Sequence, residues 1–189
     1  MNVCHRENYI GKFGDKRLDK RANLVSSMLY FGGSSSIHGI SVKEAEQKGT
    51  YRLLSNEKVK EDILIAAAKE KSGYLCENRD VFAIQDTSEF NCENHCNRLQ
   101  QGTGVGLTGN NKDIGFFLHG SLVLDAQTTT MLGYSDIQLW HRAEDKLDKQ
   151  QRGYKNLPIE EKESNKWIKA CKKSKEHSIY RNRFIQKIG

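Results

Sequence analysis

Apolar positions recur at helical spacing in the first third of the chain and at strand spacing in the middle. From Lys12 to Tyr30, Leu18, Ala22, Val25 and Leu29 fall on one stripe at i, i+4, i+7 and i+11. That spacing predicts an amphipathic helix, ended by Gly32-Gly33-Ser34-Ser35-Ser36 as a flexible connector. A second helix is predicted from Ser41 to about Leu54. Ser41-Val42-Lys43-Glu44 reads as a capping box, in which hydroxyl and carboxylate each take a free backbone N–H. Ser55-Asn56-Glu57 breaks it. A third helix follows from about Val59 to Lys71, with Val59, Ile63, Ala66 and Ala67 inward. Two short helices joined by a brief turn resemble a helix-turn-helix in outline, as many helical hairpins do.

The pattern then changes. Val81-Phe82-Ala83-Ile84 is a continuous apolar, β-prone run, which predicts a strand buried on both faces. Ile114 to Asp125 and Thr130 to Trp140 are two further strand candidates, with the turn between them at Ala126-Gln127. The first run ends in Gln85-Asp86-Thr87-Ser88. An acid placed at the end of a buried strand emerges at the sheet edge, where it can bind a cation. Asx chemistry offers the other reading, an aspartate that caps the next turn. Glu89, three residues on, is a candidate to point back as a second ligand. Gly102, Gly104, Gly106 and Gly109 form a glycine-rich stretch with neither a following Gly-Lys-Ser/Thr nor a following helix. A hairpin connection fits it better than a phosphate loop. Helices followed by strands give an α+β fold class, divided here into residues 1–75 and 76–189.

Charge sharpens this division. Of 189 residues, 30 are Lys or Arg and 24 are Asp or Glu, a net charge of +6. Residues 1–75 carry 13 basic and 9 acidic side chains, residues 76–140 carry 3 and 8, and residues 141–189 carry 14 and 7. Basic flanks suit phosphate backbones, while an acidic middle suits a metal centre or a solvated sheet edge. On the first helix, Lys16, Arg17, Lys20 and Arg21 form a continuous basic arc off the apolar stripe, with Asp15 and Asp19 on the other flank. Lys169 to Lys175 reads as a solvated helix face or a second DNA contact.

No apolar run approaches the roughly 18 residues a membrane span needs, and the Met1 to Ile10 segment is too charged for a secretory signal. A cytoplasmic, nucleoid-associated protein is expected. The five cysteines are Cys4, Cys76, Cys92, Cys96 and Cys171. Cys92, His95 and Cys96 cluster, but a structural zinc usually takes two close pairs, so free thiols are expected.

Several ordered motifs together resemble one family. Phe13-Gly-Asp-Lys-Arg-Leu-Asp-Lys-Arg21, Ser36-Ile37, Glu44 to Asn56 and Val59 are similar to the N-terminal signature of DDE transposases of the insertion-sequence-four family, nearest its transposon-five branch. Ala83 to Asn91 with His95 resembles the segment that bears the family's first catalytic aspartate. Gly115 to His119, Leu132-Gly133, Trp140-His-Arg142 and Lys162 to Trp167 resemble later landmarks.

The resemblance implies a helical domain that grips double-stranded DNA at transposon ends, followed by a ribonuclease-H-like catalytic domain. It implies DNA contacts at Lys16, Arg17, Lys20, Arg21, Tyr51, Arg52 and Asn56, and a catalytic, Mg²⁺-binding role for Asp86. In that chemistry three carboxylates hold two Mg²⁺ ions about 3.5–4 Å apart. The family's second and third acids have no counterpart here, since no Asp lies beyond Asp148. The expectation is therefore a fragment truncated before the second aspartate, with only the first strands of the catalytic domain. It would bind DNA without cutting it alone. A stand-alone regulator or inhibitor of transposition is the alternative, as is an active transposase completed by a second polypeptide. A homodimer or the full-length transposase is the expected protein partner.

Overall fold

The computed structural model describes residues 8–99, 104–109, 113–142, 154–178 and 184–186. It divides into two compact units, residues 1–71 and 72–189.

The first unit is helical. Helix α1 (Lys16–Phe31) starts at Asp15, whose carboxylate accepts the Arg17 N–H at 2.8 Å. It stops at Gly32, whose N–H reaches the Met28 carbonyl, and Gly33 follows at φ +61°. A Cβ at Gly32 would stand 2.5 Å from that carbonyl oxygen, so the stop needs glycine. The short α2 (Ile37–Ile40) leads to α3 (Glu44–Leu54) and α4 (Glu61–Cys76), whose residues from Ser72 onward belong to the second unit. Phe13, Ala22, Val25 and Leu53 form the core, with Tyr9, Leu18, Val59, Ile63 and Leu64 packed against it.

Three expectations change in this unit. Asp19, placed with Asp15 on the flank away from the basic arc, is not a surface acid. It is buried and accepts the Gly11 and Phe13 N–H groups at 2.8 and 3.1 Å, tying the entering loop to α1. Ser41 does not cap α3, because its hydroxyl donates back to the Ile37 carbonyl. The box is shifted: Glu46 accepts the N–H groups of Val42 and Lys43. Of the expected inward residues of α4, Ala67 is buried and Ala66 is exposed.

The second unit is a mixed sheet with a helix on one face. Strand β1 (Val81–Asn91) pairs antiparallel with β3 (Ile114–Asp125) from Val81 opposite Asp125 to Asn91 opposite Gly115. The two-residue β2 (Gly106–Leu107) and β4 (Met131–Trp140) also run antiparallel to β3. Strand β5 (Phe184–Gln186) runs parallel to β1. Helix α5 (Asn165–Ser178) connects β4 to β5 in the chain and covers one face of the sheet. Ser121, Ser135 and Ser174 meet there from β3, β4 and α5, with Oγ separations of 2.9, 2.9 and 2.7 Å.

Strand β1 is not buried on both faces. Val81 and Ala83 are buried, whereas Ile84 is 45% exposed. The alternation of a sheet with one covered face replaces the continuous burial that the apolar run predicted. β1 also continues through Asp86 to Asn91, so Asp86 caps no turn and ends no strand. The turn between β3 and β4 is held by Asp125, whose Oδ1 accepts the N–H groups of Gln127 and Thr128.

Candidate nucleic-acid interface and the Asp86 face

The basic arc of α1 divides in two. Lys16, Arg17 and Lys20 are exposed, and the Arg17 guanidinium lies 3.5 Å from the Asp15 carboxylate. Among the described residues, Lys16 and Lys20 have no carboxylate partner. Arg21 is half-buried and lies against α3. A Cβ at Gly49 would meet its Cζ at 2.9 Å, so Gly49 is what lets the guanidinium approach that backbone. Arg52 is exposed one turn beyond Gly49, and Tyr51 beside it is 53% exposed. Asn56 is committed to the turn after α3, where its Oδ1 accepts the Lys58 N–H at 3.0 Å. Three cations of α1 thus face solvent, while Arg21 joins that helix to α3.

In the second unit, sheet alternation separates Asp86 from its neighbours. Gln85 and Thr87 point to the covered face. Thr87 Oγ1 lies 2.9 Å from His119 Nδ1, and the Gln85 amide donates to the Trp167 carbonyl and accepts the Cys171 N–H. Asp86 between them points to the other face, exposed, with its Oδ1 accepting the Thr87 N–H. Glu89 does not join it. Three residues along a strand is the opposite face, and its carboxylate accepts the Gly109 N–H at 3.3 Å. Asp86 can give one carboxylate to a hydrated Mg²⁺. Among the described residues no three His, Cys, Asp or Glu side chains converge at metal-binding spacing. Among the described residues this face offers one carboxylate, which by itself makes no metal site.

The motifs quoted from separate parts of the sequence meet on the covered face. Arg142 holds Glu163 through two bonds of 2.8 Å and donates to the Thr108 and Gly109 carbonyls. Its guanidinium lies over Phe117, Phe117 stacks on Trp140 at 5.3 Å, and Lys166 Nζ sits 4.8 Å from the Trp140 centroid. His119, fully buried, meets the edge of Trp167 at 4.6 Å. Burial, then the Lys166 charge, holds His119 below the ordinary histidine range. Burial also lowers Lys166, against the opposing pull of Glu163. Asp136, buried and paired with Lys173 at 3.2 Å, also lies on this side. Periodicity could not foresee this ladder, because its members are paired across strands rather than along them.

Of the cysteines, Cys76, Cys92 and Cys171 form no disulfide among the described residues. The side chains of His95 and Cys96, and all of Cys4 and Gly102, lie outside the described residues. Among the described residues no helix is long and apolar enough to cross a membrane.

Residues 5–59 match the family of transposase DNA-binding domains. The matched span takes in α1, α2 and α3 whole, and with them the exposed cations of α1 and Arg52. The match supports a transposase N-terminal region and a transposase-like DNA-binding role with DNA as the partner.

Proposed function

We propose that this chain is a transposase-like DNA-binding protein of the insertion-sequence-four type, whose N-terminal helices grip transposon ends. The observation that carries this reading is the family match over residues 5–59, coinciding with a helix that turns Lys16, Arg17 and Lys20 to solvent. Phosphate contacts release condensed counterions, so affinity falls with salt at a log–log slope of about −0.9 per phosphate neutralised. Replacing Lys16 and Lys20 together by alanine is expected to flatten that slope by about two units. A slope unchanged by the double substitution, read by fluorescence anisotropy from low to moderate salt, would falsify the assignment of this face.

On the same reading, residues from 76 onward form the first strands of a ribonuclease-H-like domain, with Asp86 at the first acid's position. Two features support it: the antiparallel β1, β3 and β4 with the parallel β5, and α5 crossing one face. The described residues bring one carboxylate to the Asp86 face, and a two-metal clamp on attacking and leaving oxygens needs more. These 189 residues are therefore expected to bind DNA ends without cutting them, with Mg²⁺ or Mn²⁺. Binding is expected to survive Asp86→Ala. Cleavage of a duplex end by purified protein, lost in Asp86→Ala, would show that acids from this chain or a partner complete the site. A regulator that occupies ends and blocks them has the same binding and no cleavage; its mark is inhibition of an active transposase added to the same DNA.

A further inference from the structure

The solvent side of α1 is one stripe with two chemistries. Lys16, Lys20, Leu24, Ser27 and Phe31 follow at i, i+4, i+8, i+11 and i+15, within an arc of about 80° at 3.6 residues per turn. All five are exposed, and the buried Ala22 and Val25 lie on the opposite side. The N-terminal half of the stripe presents two ammonium groups. The C-terminal half presents no charge: Leu24 is 43% and Phe31 61% exposed, and the Ser27 hydroxyl donates back to the Asn23 carbonyl at 3.0 Å. Exposed apolar side chains scattered singly call for no partner. Here two of them continue the line of the cations, inside the span that matches transposase DNA-binding domains.

The change of chemistry along the stripe separates two kinds of DNA contact. Phosphates are held by charge and by hydrogen-bond donors, and Leu24 offers neither. A helix laid in the major groove sets long cationic side chains against the phosphates of the rim and shorter ones against base edges. An apolar side chain has one matching feature among those edges, the 5-methyl group of thymine, which the major groove displays. Leu24 stands one turn beyond Lys20 on the same line, so a strand gripped by Lys16 and Lys20 brings the neighbouring base edges toward it.

We propose that Leu24 is a specificity-determining residue, packing on the 5-methyl group of a thymine in the major groove while Lys16 and Lys20 hold the flanking phosphates. This rests on the reading of the N-terminal helices as the DNA-binding surface. It adds sequence selectivity to that reading, because phosphate contacts carry none directly.

The test uses the full chain and a randomised duplex library, selected by binding at moderate salt and sequenced. A motif with a fixed T·A pair is expected. Replacing that thymine by uracil, which removes only the methyl group, is expected to weaken binding about three- to fivefold, the worth of one buried methyl. Leu24→Ala is expected to bind the thymine duplex at least as weakly and to lose the difference between thymine and uracil, the mark of a direct pair in a double-mutant cycle. Circular dichroism checks that this exposed substitution leaves the helices formed. A thymine-to-uracil penalty that persists in Leu24→Ala overturns the proposal, as does a library that is bound without any enriched motif; both leave DNA binding by the cations intact. An affinity loss in Leu24→Ala that is equal on every duplex and accompanies dissociation of a dimer in sedimentation also overturns it, and assigns the stripe to contact between copies. Absence of any DNA binding by the unsubstituted protein overturns the underlying reading as well.

Discussion

At the residue scale, the best-anchored carboxylate is Asp125. Arg79 Nη1 lies 2.7 Å from its Oδ2, and the backbone N–H groups of Gln127 and Thr128 reach its Oδ1. The Arg79 guanidinium, then these N–H donors, hold its pKa at about 2, below the usual 3.8. A depressed carboxylate stabilises the fold fully above its unfolded value and loses that contribution as pH falls toward about 2. Arg79→Ala is expected to raise the Asp125 pKa toward the ordinary value and to move acid unfolding to higher pH, with little change at pH 7 beyond the lost pair. NMR titration of the Asp125 carboxyl carbon checks the first part and circular dichroism the second. An unmoved carboxyl titration would assign the low value to the turn alone. His119 acts in the same direction at higher pH. Its lowered pKa means the fold favours the neutral ring, a contribution present above 6.5 and lost on further acidification.

Elements show how far the pattern could be read. The α1 stripe was legible in part: Ala22 and Val25 are buried at the predicted spacing and Leu18 packs against them, whereas Leu29, the fourth member, is 45% exposed. Its start was not, because the apolar spacing runs back through a loop that Asp19 holds in place by hydrogen bonds rather than by helix. The same competition moved the α3 cap from Ser41 to Glu46: two acids within three residues offer two boxes, and the Ser41 hydroxyl was already taken by α2. Both ends of β3 were legible from its apolar run, whereas the bulges of β4 leave no mark in composition beyond Gly133. Asp19 makes a decisive element-scale test. Asp19→Ala leaves the Gly11 and Phe13 N–H groups without their acceptor, with the Phe13 contact in the core. A loss of roughly 1–3 kcal/mol follows from unsatisfied buried donors. Denaturant unfolding measures it, and a loss under about 0.5 kcal/mol, the range of ordinary surface changes, would mean that water replaces the carboxylate.

At the scale of the molecule, the asymmetry of the sheet is the main fact that sequence could not supply. Asp86 was legible as an unusual acid from its place after an apolar run, yet its face was set by alternation within a strand longer than that run. Helix α5 covers the His119 side, while the Asp86 side presents Ile84, Phe90 stacked on Phe116, and Met131 at 56% exposure. Exposed apolar area of this kind is little stabilised by the fold it belongs to, so charging it costs little. Ile84→Lys with Met131→Lys is expected to change unfolding free energy by less than about 1 kcal/mol, the sum of two surface substitutions. The same pair is expected to lower binding of an apolar fluorescent dye and to reduce concentration-dependent self-association in sedimentation. A large drop in thermal stability would show this face to be packed rather than open. A smaller dye signal at unchanged stability is the outcome that an uncovered sheet face beside Asp86 requires.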